Sequence, residues 1–484
     1  IIVHSFLKVS CTMSATLGNT QQSHSFCGGC SPSTFHVEPG VWRNHAKAPR
    51  DLLVGEVISE NTPVACCLNG RLKATHCSLC FRQATETNPL RCSRCKIAHY
   101  CSSVCQKQDW QHHKRECKAR ETINDEVRLL VRTLVAEKTL RDVCSASLVR
   151  SSLVVCGSRH LSTMDVNPNP LDAMETTIVR AAAQIANTDP TKSETLYRRF
   201  ARNNFGVVDA FVSPLGAGVY PHAAILNHSC DPNCLIRFKF ETGVAPVLQI
   251  VAIRSIRNQE ELTHAYVEMC QSTHVRRKDL LQVYGFKCEC RRCSSKCTLK
   301  LPRDIMTNPL WTVRAMNPCR VSKNGTNGDD DIDDAASSSM TVMDIEEVML
   351  WTSDPPPNLQ LAYSKIQEAQ IHQEKDDVKA EIDALREAVN VLRCMPFNVE
   401  LYSTRAALLS SLVAVGDLKE ALITCWHLVA FLVVAFAHVP NHPLLGLQLY
   451  TLGDLLSTAG HTREARDVYL WSRHILRVCQ GNDA

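Results

Sequence analysis

The sequence lacks a large net charge and a long apolar run, and both absences narrow its function. Its 53 lysines and arginines nearly balance its 49 aspartates and glutamates, so the formal net charge is +4 over 484 residues. Attraction of the whole molecule to nucleic acid is therefore not expected. The most apolar run, 428–437, has about ten residues and is too short to cross a bilayer. No secretory signal is visible either, so no membrane partner is expected.

Cysteine is the abundant exception. The chain has 25 cysteines. The rest of its composition, with 45% hydrophobic and 21% charged residues, is that of an ordinary globular protein. Many cysteines fall in Cys-x2-Cys pairs, which disfavours a secreted disulfide framework and favours zinc in a reducing, intracellular compartment. An isolated pair, Cys27 and Cys30, has no second pair nearby and is not assigned a metal. The length predicts about two to four domains.

The strongest local pattern lies in residues 77–117. It consists of four ligand pairs: Cys77-x2-Cys80, Cys92-x2-Cys95, Cys101-x3-Cys105 and His113-x3-Cys117. Eight soft ligands are enough for two tetrahedral zinc ions. His112 is the competing candidate, but residues four apart share a helix face, which favours His113 with Cys117. About forty residues cannot build an independent core, so metal must supply much of the folding free energy.

A second cysteine group joins two distant segments. Residues 284–293 read Tyr-Gly-Phe-Lys-Cys-Glu-Cys-Arg-Arg-Cys, and the thiols of Cys288, Cys290 and Cys293 are one ligand short of a tetrahedral site. Cys230, within the Asn-His-Ser-Cys run 227–230, is the candidate fourth ligand. Such a site would clamp that run against the later loop. Cys297 lies outside the pattern and is read as a spare thiol.

These motifs, in this order, resemble the SET domain of protein-lysine methyltransferases. The resemblance is carried by Asn-Asn-Phe at 203–205, Gly-Ala-Gly-Val-Tyr-Pro at 216–221, the Asn-His-Ser-Cys run and Glu-Leu-Thr-His-Ala-Tyr at 261–266. The cysteine-rich segment narrows it to the SET–MYND (SMYD) family. The implied fold class is α+β: a β-rich SET domain of small, pseudoknotted sheets, split by a zinc-binding MYND module and a helical insert. A helical C-terminal domain resembling tetratricopeptide repeats (TPR-like) should follow.

The expected domain order follows from the resemblance and the local patterns. It is a poorly defined N-terminal segment at 1–36, the first SET part at 37–76, the MYND finger at 77–117, a helical insert at 118–202, the SET core at 203–283, a post-SET zinc loop at 284–300, a linker at 301–342 and the helical domain at 343–484. Relatives often continue beyond such a C-terminus, so the last helices are expected to be missing.

Several local patterns support this order. Gly55 should turn the chain into a strand, and 235–240 and 247–252 read as strands. An apolar stripe predicts helix from 125, with a break at 167–170 and a second helical stretch around 176–186. The acidic, low-complexity stretch 322–340 predicts a disordered linker. Gly-Asp-Leu-Lys-Glu-Ala at 416–421 recurs as Gly-His-Thr-Arg-Glu-Ala at 460–465, a weak helix-turn-helix repeat.

The resemblance implies transfer of a methyl group from S-adenosyl-L-methionine (SAM) to a lysine amine. Tyr266 is the expected catalytic hydroxyl and Tyr284 the wall of the lysine channel, although core packing is the alternative for each aromatic residue alone. The implied cofactor contacts are Asn44, His160, Asn203, Leu226, Asn227, His228, Tyr266 and Phe286. Three zinc ions are implied: one on Cys77, Cys80, Cys101 and Cys105, one on Cys92, Cys95, His113 and Cys117, and one on Cys230, Cys288, Cys290 and Cys293.

The sequence departs from the family where a Gly-x-Gly loop should approach SAM. Arg43-Asn44-His45 stands there, and a Cβ can block close backbone approach. Ala224, His264 and Thr122 also differ from common family residues. Two functions therefore compete: a SAM-dependent protein-lysine N-methyltransferase acting on histone or non-histone proteins, and a weak or inactive adaptor that binds proline-rich peptides and serves transcriptional regulation.

The resemblance also implies partners and location. A protein substrate with a target lysine, proline-rich peptides on the MYND module and a chaperone contact through the C-terminal domain are expected. The MYND surface is basic, but a solvated surface is favoured over contact with nucleic acid. A monomer in cytoplasm and nucleus is predicted. Substrate identity and the degree of methylation do not follow from the sequence.

Overall fold

The computed structural model describes residues 36–39, 44–84, 90–119, 123–146, 170–200, 202–294, 300–302, 342–344, 358–393 and 399–481. Of these, 36–39, 44, 139–146, 200, 300–302 and 342–344 are described by their backbone alone. The expectations for Arg43, Thr122, His160, Cys297 and the linker 322–340 lie outside the described residues.

Two small three-stranded sheets form the centre of the SET domain. One has the order β10-β11-β3 and the other the order β4-β8-β7, and all neighbouring strands are antiparallel. Their apolar side chains, among them Ile58, Leu248 and Ile250, pack into one buried core. The strands are β3 (Val57–Asn61), β4 (Ala65–Leu68), β7 (Asn204–Val208), β8 (Pro214–Val219), β10 (Cys234–Lys239) and β11 (Val247–Ala252).

Shorter strand pairs surround these sheets. They are β1 (His36–Pro39) with β2 (Asn44–Lys47), β5 (Leu90–Arg91) with β6 (His99–Tyr100), β9 (Asn227–His228) with β12 (Thr263–His264), and β13 (Lys300–Pro302) with β14 (Val342–Asp344). The expected strands at 235–240 and 247–252 are present within one residue as β10 and β11.

The parallel pair β9–β12 is the feature that positions the site. Asn227 lies opposite Thr263 and His228 opposite His264. The side chain of Asn233 ties the two segments together, because its Nδ2 donates to the Glu261 carbonyl at 2.7 Å and its Oδ1 accepts from the Thr263 amide at 2.8 Å. The Asn227 run therefore lies beside the chain that leads to Tyr266, as the pseudoknot predicts.

The MYND segment is joined to the SET sheets by a buried ionic network. Helix α1 (Ser103–Ala119) carries Asp109 and Glu116, and helix α2 (Asp125–Ala146) carries Arg132. The Arg132 guanidinium, 2% exposed, lies 3.0 Å from Asp109 Oδ1 and 2.5 Å from Glu116 Oε1, and it also donates to the Cys66 carbonyl of β4. A buried charge is tolerated only when it is paired and hydrogen-bonded, so this network fixes α1 against the sheet.

The insert after the MYND segment is helical, as the apolar stripe predicts. Besides α2 it contains α3 (Ala173–Ala186) and α4 (Pro190–Phe200). A capping box starts α3, in which the Asp172 side chain accepts from the Glu175 amide at 2.7 Å and Glu175 Oε2 accepts from the Asp172 amide at 3.1 Å. Ile178, Val179 and Ala182 of α3 are buried in a core shared with α2.

Six described helices form the C-terminal domain. They are α6 (Leu359–Glu374), α7 (Val378–Leu392), α8 (Val399–Val415), α9 (Leu418–Ala435), α10 (Pro443–Thr458) and α11 (Thr462–Gln480); the SET core carries α5 (Thr273–Asp279) and a π-helical turn (Leu280–Tyr284). Gly416 and Gly460 have φ of +77° and +84° at the two repeated turns, a conformation that glycine adopts without a Cβ clash. The repeat is thus structurally real.

Two expectations for this region need correction. The residues around 343 are strand β14 rather than helix, because they pair with β13, and the first described helix beyond them begins at Leu359. The apolar run extends into a helix, α9, that is long and apolar enough by composition to span a membrane. That helix is 67% buried inside the protein and packs between α8 and α10, as a core helix does.

The helical domain contacts the SET domain along two edges. Asn441 Nδ2 donates to the Ile253 carbonyl at 2.9 Å, and Arg237 donates to the Cys479 carbonyl at 3.4 Å. One apolar cluster runs from the helices into the post-SET loop, so that Cys230 and Cys288 share a core with α8 to α11. The candidate site is therefore bordered by both domains.

Candidate functional site

The predicted MYND ligands converge into two groups. Cys77, Cys80, Cys101 and Cys105 form one group and Cys92, Cys95, His113 and Cys117 the other, with ligand atoms within 4.8 Å of one another in each. Sulfur atoms on a tetrahedral zinc are about 3.8 Å apart, given Zn–S bonds of about 2.3 Å. The Cys80–Cys101 and Cys92–Cys117 sulfurs are 3.6 and 3.8 Å apart. The donor sets therefore fit zinc, and His113, not His112, faces the second group.

The third predicted group closes the post-SET loop. Cys230, Cys288, Cys290 and Cys293 place their sulfurs within 4.8 Å of one another, and Cys293 lies 3.5 Å from Cys230. Cys288, Cys290 and Cys293 lie in one short segment, and Cys230 lies 58 positions before Cys288. Four cysteines without a further ligand suit a structural zinc site, in which no coordination position stays open.

A buried arginine that sequence analysis did not identify stands beside this group. Arg276 of α5 is 0% exposed, and its Nε lies 3.3 Å from Cys230 Sγ while Nη2 lies 3.8 Å from Cys293 Sγ. Four thiolates around a zinc ion would carry a net negative charge, which the guanidinium is placed to compensate inside the core. Nothing in the run Val275-Arg276-Arg277-Lys278 shows which cation turns inward.

His228 connects the zinc group to Tyr266. The Tyr266 amide donates to His228 Nδ1 at 2.9 Å, and the other ring nitrogen, Nε2, lies 3.2 Å from Cys230 Sγ. Because Nδ1 accepts this bond, the ring proton belongs on Nε2, facing the sulfur. The sequence implied His228 only as a cofactor contact; the structure adds a side-chain link between the cysteine group and Tyr266.

An aromatic cluster surrounds Tyr266. Its ring centroid lies 4.9 Å from that of Tyr284, 4.8 Å from His264 and 5.3 Å from His228, and Phe286 lies 6.0 Å from His228. Tyr266, Tyr284 and Phe286 are half-buried, so one face of the cluster remains accessible. The Tyr266 hydroxyl donates to the Leu226 carbonyl at 2.5 Å. The hydroxyl oxygen of Tyr266 and the carbonyl oxygen of Leu226 therefore lie together at the mouth of the aromatic cluster, which is its accessible side.

His264 contributes an uncharged ring to this cluster. It stacks on Phe205 with centroids 5.7 Å apart, and burial lowers its pKa to about 4. The imidazole is therefore neutral near pH 7 and adds apolar surface, rather than positive charge, beside Tyr266.

A polar group lies at the other end of the site, around the altered loop. His45 Nδ1 lies 2.7 Å from Glu261 Oε1, Asn227 Nδ2 donates to the same oxygen at 2.8 Å, and Asn227 lies 3.4 Å from His45. The side chains of His45 and Glu261 are 40% and 35% exposed. His45, at a position where the family has glycine, thus contacts the asparagine expected to bind SAM. Glu261 was not identified from sequence.

The positions of the remaining predicted cofactor residues do not test their contacts with SAM. Asn203 precedes β7, and its side chain donates to the Arg199 carbonyl in α4 at 2.6 Å. Asn44 is described by its backbone in β2, beside His45. Leu226 is buried and supplies the carbonyl that Tyr266 contacts. The cofactor roles of these three residues stay predictions.

Comparison with known proteins agrees with this arrangement. Residues 66–117 match the MYND finger family model. Histone-lysine N-methyltransferase ASHR1 of Arabidopsis thaliana is 29% identical over 445 residues, which cover 89% of this chain and 88% of that protein. Histone-lysine N-methyltransferase SMYD3 of Mus musculus is 33% identical over 264 residues, covering 52% of this chain and 59% of the relative. N-lysine methyltransferase SMYD2-B of Xenopus laevis is 29% identical over 266 residues, covering 53% and 60%.

The matched finger, the two cysteine groups within it and the small sheets fit an α+β SET–MYND layout. Over about half of its length the chain is similar to proteins of the SMYD family. It spans about three fifths of the SMYD3 and SMYD2-B relatives and nearly nine tenths of ASHR1. The crystal structure of the SET domain of LSMT bound to lysine and AdoHcy superposes with a TM-score of 0.25 at 13% identity, over 94% of this chain and 93% of that one. That score is too low to bear on the site.

Proposed function

We infer that the chain is a SAM-dependent protein-lysine N-methyltransferase. The observation that carries this inference is the placement of Tyr266: its hydroxyl and the Leu226 carbonyl stand together at an aromatic cluster, and Asn227 follows Leu226 directly in β9. A lysine channel and a cofactor pocket that meet at this point would use these residues from opposite sides. The names of the relatives support the same activity.

The aromatic rings suit a lysine side chain that must lose its proton. Tyr266, Tyr284 and the neutral His264 form half-buried or buried walls, and an apolar environment disfavours an ammonium and favours the free amine. Holding the amine in one orientation supplies the proximity contribution to the rate. The oxygens of Tyr266 and Leu226 place negative dipole ends where positive charge passes during methyl transfer.

SAM, when bound, supplies the electrophilic methyl group. Asn227 and His228 of β9, the Leu226 backbone and Phe286 are the described residues placed to hold it, with Asn44 and Asn203 as further expected contacts. The Phe286 ring is half-buried beside His228 and suits stacking on adenine. We further propose three structural zinc ions, one for each cysteine group, because each group offers four ligands at zinc spacing.

The adaptor alternative rests on one observation, the His45 side chain. It lies against Asn227 and Glu261 in the place of a family glycine, so it competes for space near the expected SAM amino-acid end. In that alternative the chain keeps its MYND and helical modules as peptide-binding surfaces. The proposal also includes the partners and the location. The substrates are histone or non-histone proteins, the partners are proline-rich peptides and a chaperone, and the location is cytoplasm and nucleus.

Calorimetric titration of the full chain with SAM separates the two functions. Methyl transfer to a protein mixture, followed by mass spectrometry of modified lysines, then tests the activity, with Tyr266→Phe as the control. Binding of SAM and loss of transfer in the Tyr266→Phe variant are expected. If SAM does not bind at millimolar concentration, the adaptor function replaces the enzyme.

A further inference from the structure

A half-buried arginine of the C-terminal domain has no counterion among the described residues. Arg405 of α8 is half-buried, and no described side chain or carbonyl accepts a hydrogen bond from it or pairs with its charge. Burial alone lowers the pKa of its guanidinium to about 10. The nearest carboxylate in the sequence, Glu400, instead affects Tyr363 of α6. A guanidinium removed from water without a partner costs free energy, which a bound anion would recover.

A histidine with an unused nitrogen lies beside this arginine. Tyr402 of α8 stacks on Phe431 of α9, with ring centroids 4.9 Å apart and planes 24° apart. Arg405 lies one helical turn beyond Tyr402 and His427 one turn before Phe431, so the antiparallel hairpin brings them to the same level. His427 Nδ1 is buried and has no hydrogen-bond partner among the described residues. Burial and the neighbouring Arg405 lower the pKa of His427 to about 4.

Arg405 and His427 together provide hydrogen-bond donors, and neither side chain carries a negative charge. A guanidinium presents a planar fork that matches a carboxylate or a phosphate. A neutral imidazole can place its single N–H on Nδ1 and donate a further hydrogen bond. Tyr402 of the same hairpin packs against the apolar cluster that contains Met269 and Cys270 of the SET segment after Tyr266. Burial and the nearby Cys270 and Glu268 raise the pKa of Tyr402. Glu268 itself accepts from the Cys270 amide at 3.0 Å.

We propose that Arg405 and His427 form a carboxylate-binding site for an acidic side chain of a polypeptide lying between the C-terminal helices and the SET core. A peptide is favoured over free phosphate because the site borders the segment that leads from Tyr266, where a protein substrate must pass. That assignment of the peptide as substrate rests on the proposed methyltransferase function. The anion site itself does not, since it follows from the unpaired donors.

The test measures peptide binding to the full chain in low salt without SAM. The probes are an N-acetylated, C-amidated peptide Gly-Glu-Glu-Glu-Gly, its glutamine twin Gly-Gln-Gln-Gln-Gly and inorganic phosphate. The variants are Arg405→Met and, as a matched control, Arg463→Met; Arg463 is an exposed arginine of α11 for which the described residues provide no partner. Calorimetry gives affinity, and thermal melting gives the shift that each probe produces.

The glutamate peptide should bind the wild type and the Arg463→Met variant, and the glutamine twin should bind neither. Binding to the Arg405→Met variant should be about tenfold weaker, the loss of one charge-assisted hydrogen-bond pair. Without a probe, the Arg405→Met variant should melt no lower than the wild type, because an uncompensated, half-buried charge has been removed. A lower melting temperature would show that Arg405 is structural and would overturn the proposal.

Three other results also overturn it. These are equal peptide binding by the wild type and the Arg405→Met variant, no peptide binding by the wild type, and a phosphate shift as large as that of the glutamate peptide at equal concentration, which would mark a free-phosphate site. SAM calorimetry on the same variants keeps the two hypotheses separate. Failure of SAM binding with retained peptide binding removes the methyltransferase and leaves the carboxylate site.

Discussion

The two ends of the candidate site are held in different ways. The aromatic end is anchored through His228 and Cys230 to a buried cysteine group, with the fully buried Arg276 beside it. The polar end depends on His45 and Glu261, whose side chains are 40% and 35% exposed. Exposed ion pairs contribute about 0–1 kcal/mol, whereas breaking a buried charge pair costs about 3–5 kcal/mol. The aromatic end should therefore be rigid and intolerant of change, and the polar end adjustable.

Removing a zinc ligand should have the largest effect on methyl transfer, because the aromatic end of the site is then no longer anchored to the cysteine group. In a Cys288→Ser variant we expect zinc content to fall by one equivalent per chain and methyl transfer to be abolished. The reason is that the loop bearing Tyr284 and Phe286 loses its link to Cys230. Elemental analysis and a methyl-transfer assay measure both. The Cys479→Ser control removes a buried thiol that lies outside the cysteine groups and should keep its zinc. Unchanged zinc in Cys288→Ser would contradict the assignment.

Substituting the buried arginine should come next. Arg276→Met keeps the side-chain length but removes the donors to Cys230 and Cys293, so the negative charge of the thiolate group is left uncompensated. We expect the free energy of unfolding to fall by about 3–5 kcal/mol, measured by denaturant titration of the zinc-loaded protein. The exposed neighbour Lys278 provides the control, since Lys278→Met should change stability by about 0.5 kcal/mol or less. Similar losses in both variants would remove the special role of Arg276.

Loss of the Tyr266 hydroxyl should affect the reaction and little else. Tyr266→Phe removes one of the two oxygens at the cluster mouth while keeping the ring packed against Tyr284 and His264. We expect kcat to fall about a hundredfold, with the dissociation constant of SAM unchanged, measured by steady-state kinetics and calorimetry. Tyr450→Phe, at an exposed tyrosine of α10, should leave both values as in the wild type. A rise in KM with an intact kcat would assign Tyr266 to binding alone.

Features set by local spacing could be predicted from the sequence, and features set by contacts between distant segments could not. The zinc groups were predictable because the four MYND ligand pairs and the set Cys288, Cys290 and Cys293 have local spacing, so that only Cys230 is distant. The α+β fold class is confirmed. The convergence of Tyr266, Tyr284 and Phe286 followed from the family resemblance and not from periodicity. Arg276 and Glu261 were missed because their partners lie in distant segments, which no one-dimensional pattern reveals. Arg405 was missed because the sequence does not show which arginine of a helix is half-buried without a counterion in the described part of the chain. Strand β14 was missed because its pairing partner, β13, lies some forty residues earlier.

The smallest effect should come from the polar end, where it decides between enzyme and adaptor. In a His45→Gly variant we expect SAM to bind about tenfold more tightly, equivalent to about 1.4 kcal/mol, because the Cβ and ring that contact Asn227 are removed and the family's backbone approach is restored. Calorimetry measures the change. The free energy of unfolding should change little, because both side chains of the His45–Glu261 contact are partly exposed. Glu261→Gln serves as the matched control, since it removes the carboxylate that contacts His45 while leaving the His45 ring in place, and it should not tighten SAM binding. Weaker binding in His45→Gly would instead make His45 a cofactor contact that replaces the missing glycine, and the polar end would then be specialised and not degraded.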